Sequence, residues 1–354
     1  MKHFVHEGQP SRVVFGVGRR VELAVEIDRL GASRVLILTG PRHAAIASEF
    51  AAQLGRRFVE VHPHAAMHVP SDTAEKAIQL ARDVDADVCV AVGGGSAIGL
   101  AKAVARVTGL PVVAVPTTYA GSEMTPIWGL TESSRKTTGR DPRVLPRTVI
   151  YDPQLTTTLT PEASATSGIN ALAHSAEALY SPDVSPVTTM IATESVAALA
   201  GALPQVTADP LDLDARSTTL YGAWLAGTCL GATAMSLHHK LCHILGGAFN
   251  LPHAQTHTTV LPHVLAYNLP AAPSAAHALA VALGGDPVDR LVMLIDKLGV
   301  GRSLAELGMP EDGIEKAVIS ATANSDSYAN PRPVSAEAVR AIIRGAFEGS
   351  APHT

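Results

Sequence analysis

Residues 87–115 read DVCVAVGGGSAIGLAKAVARVTGLPVVAV. An apolar run, three glycines, a helix-length segment and a second apolar run follow in that order, which predicts strand 87–92, helix 96–107 and strand 112–115. Two strands joined through a helix lie parallel, and strands apolar on every residue are buried on both faces. The same alternation holds upstream. VLILT at 35–39 ends at Gly40-Pro41, a helical stretch runs through about Leu54, FVEV follows at 58–61, and an amphipathic helix covers 71–83. Repeated right-handed crossovers of this kind build a doubly wound, Rossmann-like α/β sheet. After Asp152-Pro153 strand-like runs almost vanish and Ala/Leu-rich helical segments take over, with Thr160 as an N-cap and Pro161 just inside a helix. The expected division is therefore an α/β nucleotide-binding domain at 1–152 and an all-helical catalytic domain at 153–354.

A chain of 354 residues suits two domains, and 47% apolar residues suffice for two cores. Net charge is −5 with no basic run, which argues against nucleic acid and points to small molecules. Cys89, Cys229 and Cys242 are odd in number and sit in apolar stretches, as thiols of a reducing compartment do. The opening MKHFVHEGQPSRVVFG has no apolar core of signal-peptide length, so a cytoplasmic location is expected. Ser217–Leu237 runs without a charge and is long enough to span a bilayer, but its Gly, Thr and Ala content reads as a buried helix, so no membrane role is expected.

Gly93-Gly94-Gly95-Ser96 stands at a strand-to-helix turn, where backbone amides and the helix dipole favour a phosphate. Lys102 lies on the helix that follows. Ile98 occupies the third glycine position of the dinucleotide fingerprint, so the turn is an anion cradle outside that motif. Pro116-Thr117-Thr118-Tyr119-Ala120-Gly121-Ser122-Glu123 follows the next strand, at the end of a parallel sheet where ligands bind. Gly40, Gly93, Gly94, Gly95, Ser96, Thr117, Thr118 and Ser122 are the candidate cofactor-binding residues.

The second concentration of chemistry is LHHKLCHILGGAFNLPHAQTHTTVLPH, from Leu237 to His263, which holds six histidines. His239 and His243 share a helical face, and His253 follows a Gly-Gly break and a proline. Imidazole binds metals and carries protons near neutral pH, so the block reads as a metal site, an acid/base site or both, against core histidines as the bland alternative.

Taken together, the GGGS turn, the PTT…GSE…T loop at 116–125, IYDP at 150–153, GINALAH at 168–174 and the histidine block resemble the iron-containing alcohol dehydrogenase superfamily along the whole chain. PTTYAGSEMTPIWGLTE, KTTGRDPRVLPRTVIYDP and NPRPVS are most similar to its maleylacetate reductase branch. The resemblance implies an NAD(P)-binding domain, a helical domain, a reaction between them, a homodimer and a role in aromatic compound degradation. Members that use a metal hold it with an Asp and three His, which fall here on Asn170, His174, His239 and His253, with His243 at a position given a proton-relay role. The aspartate is Asn170. A neutral amide holds a divalent cation less well than a carboxylate, so the expectation is no metal. A second departure is Gly99, where many relatives carry Asp.

The implied reaction is NADH-dependent reduction of the C=C bond of an enone diacid. Hydride adds to C2, the enolate oxygen at C4 is stabilised, and a proton reaches C3 to give 3-oxoadipate. His243, His253 and His239 are the candidate catalytic residues. Asn170, His174, Lys240, Lys136 and Tyr328 are candidates for binding the dicarboxylate, with Arg140, Arg332 and Asn330 as further polar groups in the same segments. Gly40-Pro41-Arg42 lacks an acid that would reject a 2′-phosphate, so NADPH is expected to serve as well. The alternatives are a metal-dependent alcohol dehydrogenase that tolerates Asn170, a lyase like 3-dehydroquinate synthase, and a nucleotide-binding protein without activity.

Overall fold

In the computed structural model the described residues are 4, 6, 8, 11–132, 135–323 and 328–352, with the side chains of 135 and 136 excepted. The chain divides into two compact units, one of them covering Gln9–Thr158.

That unit is built on strands β1 Arg12–Phe15, β2 Val35–Thr39, β3 Phe58–His62, β4 Val88–Gly93, β5 Val112–Pro116, β6 Ile127–Glu132, β7 Arg135–Arg140 and β8 Thr148–Tyr151. Its helices are α1 Leu23–Arg29, α2 Ala44–Leu54, α3 Ser71–Asp83 and α4 Gly95–Thr108. Six strands form one parallel sheet in the order β1-β8-β5-β4-β2-β3. Every residue of β2, β4 and β5 is buried, as the continuous apolar runs required. One face of the sheet, through Val35, Ile37, Val90, Val92, Val113 and Ile150, packs on Leu23, Ile27, Phe50 and Leu54. The sequence reading of a doubly wound α/β sheet holds, with β2, β4 and β5 on or next to the expected bounds.

The antiparallel hairpin β6–β7, paired from Ile127↔Arg140 to Glu132↔Arg135, was not foreseen. β6, IWGLTE, is only half-buried, and β7, RKTTGR, has no apolar side chain to mark a strand. Residues 153–158 stay with the sheet. The buried Asp152 carboxylate accepts from the backbone N–H groups of Gly18, Arg20 and Gln154 and pairs with Arg20, which ties the chain beyond β8 to the start of the unit.

From Leu159 onward all described structure is helical: α5 Pro161–Ala178, α6 Pro186–Ala208, α7 Leu213–Ala232, α8 Leu237–Phe249, α9 His253–Asn268, α10 Pro273–Leu283, α11 Pro287–Leu298, α12 Gly313–Thr322 and α13 Ala336–Glu348, with short 3-10 turns. Thr160 caps α5 by accepting from Ala163 N, as the sequence indicated. Leu237, Leu241 and Leu245 of α8 meet Val260 and Val264 of α9, Ile314 and Val318 of α12, and Val339 and Ile343 of α13 in one core. The uncharged stretch 217–237 is not one helix, because α7 ends at Ala232 and α8 begins at Leu237. Among the described residues α6 is long and apolar enough to cross a membrane by length and composition, and it packs against α5 and α7.

Candidate active site

At the carboxyl ends of β5, β4 and β2, neighbours in the sheet, the glycine turn and the threonine loop come together. Gly93 has φ of 143° and Gly94 is so close to Thr118 that a Cβ there would meet Thr118 Oγ1 at 2.9 Å. Thr117 N donates to Gly93 O at 3.1 Å, and Thr117 Oγ1 lies 3.1 Å from His43 Nε2. Gly94 caps α4 with no side-chain bond, leaving the amides of the first turn, Gly95 and Ser96 among them, to a ligand. His43 was missed by sequence reading, although it stands just past Gly40 at the end of β2. Its pKa is lowered by burial and by Arg42.

Ser122 belongs to a different arrangement. Lys102 is fully buried, and its Nζ donates to Ser122 O, Thr125 O, Thr125 Oγ1 and Ile127 O, with Ser122 Oγ at 3.3 Å. The loop after β5 is thus held from beneath by the one amine of Lys102, whose pKa burial lowers to about 7. Gly99 also has a local cause: a Cβ there would sit 2.7 Å from Val69 Cγ2, so any side chain would force Val69 to shift. Arg140 lies at the end of β7, and the side chain of Lys136 is outside the described residues.

In the helical unit, Asn170, His174 and Glu177 fall at i, i+4 and i+7 of α5, on one face. His238, His239, Cys242 and His243 come from α8, and His253 and His257 from α9. Six imidazoles result in one cluster. Ring centroids are 5.0 Å apart for His174 and His239, 4.9 Å for His239 and His257, 4.4 Å for His253 and His257, 6.3 Å for His239 and His243, and 6.1 Å for His243 and His253. Asn170, His174, His238, His239 and His257 are buried, whereas His243 and His253 are exposed.

Burial, and then the neighbouring histidines, pushes His174, His238 and His257 well below the usual imidazole range. They are neutral at pH 7. Burial, with Glu177 adding to it, holds the Cys242 thiol protonated. Glu177 Oε2 bonds His239 Nδ1 and Oε1 accepts from His238 N at 2.9 Å. His238 Nε2 and His257 Nδ1 are 2.9 Å apart. Asn170 Oδ1, His174 Nδ1, His239 Nε2 and His257 Nε2 are buried without a hydrogen-bond partner. Unpaired buried polar atoms cost about 1–3 kcal/mol each, so they mark a place for a ligand.

Of the remaining candidates, Lys240 is exposed with its Nζ 5.8 Å from the Tyr328 ring centroid. Arg332 stacks on Tyr267 and donates to Tyr267 O at 2.8 Å. Asn330 exchanges amide bonds with Asn268 and accepts from Ser236 Oγ at 3.0 Å, so it fastens its segment to the start of α8 and the end of α9. Glu177, His238 and His257 were missed as site residues. Helical spacing alone would have found two of them: Glu177 follows His174 by three residues and His257 follows His253 by four.

Residues 10–153 match the family model described as iron-containing alcohol dehydrogenase, and residues 164–347 match its C-terminal counterpart. Maleylacetate reductase from Sphingobium indicum is 52% identical over 99% of both chains, and that from Burkholderia cepacia is 51% identical over 99% of this chain and 100% of its own. The crystal structure of maleylacetate reductase from Agrobacterium tumefaciens superposes with a TM-score of 0.96 at 47% identity, over 99% of this chain and 100% of its own. The expectation of no metal is corrected by these findings. The matched description names iron, and the donor atoms of His238, Cys242 and His257 lie within 4.8 Å of one another. Reasoning from the lost charge at Asn170 left out the buried donor atoms that still lack partners, Asn170 Oδ1, His174 Nδ1 and His239 Nε2. Both units carry the same assignment, and the chain belongs to the iron-containing alcohol dehydrogenase family.

Proposed function

We propose that this oxidoreductase is a maleylacetate reductase: it uses NADH, and accepts NADPH, to reduce the C=C bond of maleylacetate to 3-oxoadipate during the breakdown of aromatic compounds. The observation that carries the reading is identity of about half to maleylacetate reductases along the full chain. Hydride leaves C4 of the nicotinamide as an electron pair with its proton and bonds to C2 of the substrate. The C2=C3 electrons shift to make a C3=C4 enolate, and a proton bonded at C3 completes the product with NAD⁺ released. His243 is the donor of that proton. Gly93, Gly94, Gly95, Ser96, Thr117, Thr118 and Gly40 bind the nucleotide, while Lys240 and Tyr328 receive a carboxylate. A cytoplasmic homodimer completes the proposal, consistent with three buried free cysteines.

The residues present fit a metal ion. In the triad of His238, Cys242 and His257 the two imidazoles already bond each other and the thiol stays protonated, whereas Asn170 Oδ1, His174 Nδ1 and His239 Nε2 lack partners. Asn170, His174, His239 and His253 would hold the ion, which supplies Lewis acidity when bound. Asn170→Asp adds an anionic ligand to that set and is expected to raise affinity for a divalent ion about tenfold or more. Metal retained after dialysis measures it; retention equal to the parent protein would remove Asn170 from the ligand set.

The function itself is tested by mixing the enzyme with NADH and maleylacetate. One NADH consumed per 3-oxoadipate formed supports it, and no consumption contradicts it.

A further inference from the structure

We propose that Glu177 is the positioning residue of the histidine cluster: its carboxylate fixes His239 as the Nδ1–H tautomer and aims the bare Nε2 at the ligand. The inference rests on the reading above in that His239 serves the site. The carboxylate absent at residue 170 reappears two helical turns along the same face of α5, one bond further out.

Glu177 is fully buried, and the His239 side chain it holds is buried as well. A carboxylate accepts only, so a hydrogen bond between Glu177 Oε2 and His239 Nδ1 requires the proton on Nδ1. The lone pair of the neutral ring is then on Nε2, the atom buried without a partner. Carboxylate–histidine pairs of this form orient ligands and raise their basicity.

The second oxygen has a separate task. Ser236 caps α8 without a side-chain bond to its first turn, and its hydroxyl donates to Asn330 Oδ1. Glu177 Oε1 takes the His238 N–H in its place, and the dipole of α8 favours the negative charge there. One carboxylate therefore sets both the start of α8 and the ring orientation of His239. A purely structural cap would do the first without the second.

The test separates them. In ¹⁵N-labelled native protein, with the His239 ring signals assigned by their loss in His239→Gln, Nδ1 is expected to carry the proton and Nε2 to be bare. A proton on Nε2 overturns the proposal, and this reading needs no Glu177 variant to fold. In folded Glu177→Gln, cobalt(II) affinity, followed by the visible absorption of the bound ion, is expected to fall about 10–100-fold while Glu177→Asp recovers part of it. Unchanged affinity in Glu177→Gln overturns it too. Turnover of native protein with maleylacetate is measured alongside, so a protein with the Nδ1–H tautomer and no turnover identifies the failure as that of the function.

Discussion

Exchanging His243 for asparagine is expected to lower kcat about 10²–10⁴-fold, the span of a lost general acid. The substitution removes the only side chain assigned to deliver the proton to C3. His243 lies one helical turn beyond His239 on α8, and its exposure lets it exchange protons with solvent, which the buried His238, His239 and His257 do not share. Burial keeps His174, His238 and His257 neutral, so they are poor acids at pH 7. NADH binding is expected to stay as in the parent, because the nucleotide residues belong to the sheet unit. Steady-state kcat together with NADH titration measures both, and a kcat equal to that of the parent would make His243 a bystander.

Lys102→Met is the second large effect. The buried amine of Lys102 is shared by carbonyls of Ser122, Thr125 and Ile127, and methionine fills the space without a donor. Leaving these three buried carbonyls short of a donor costs about 3–5 kcal/mol in all, at roughly 1–3 kcal/mol for each unsatisfied group. At about 2–4 °C per kcal/mol for a unit of this size, Tm falls roughly 10 °C. NADH affinity falls with it, since Thr117 and Thr118 precede the loop that Lys102 holds. Calorimetry gives the first number and fluorescence titration of NADH the second. A Tm equal to the parent would mean that the loop holds itself.

The sheet was legible because β2, β4 and β5 are apolar on both faces and each ends at, or is followed by, glycine or proline. The hairpin β6–β7 was not, since Thr131, Lys136 and Thr137 carry no apolar alternation and the pairing comes from the partner strand. In the site, the glycine turn and the histidine block were readable as local patterns. Glu177 was not read although its spacing from His174 offered it, and its bond to His239 shows only when α5 is laid against α8. Ser122, read as a nucleotide contact from its place in a polar loop, also has its hydroxyl and carbonyl oxygens beside Lys102 Nζ, which a local pattern does not show. Asn170 misled for a third reason. Its missing charge was weighed alone, whereas the family match and the unpaired buried Asn170 Oδ1, His174 Nδ1 and His239 Nε2 outweigh it.

The central claim is reduction at carbon–carbon rather than at carbon–oxygen, and the position of the transferred hydrogen decides it. The enzyme is given maleylacetate and NADH deuterated at nicotinamide C4, and the product is read by NMR. The account predicts deuterium on the carbon that was C2 of the substrate, a solvent-derived hydrogen on the former C3, and an intact ketone. Deuterium on the former carbonyl carbon C4, in an alcohol product, would contradict it.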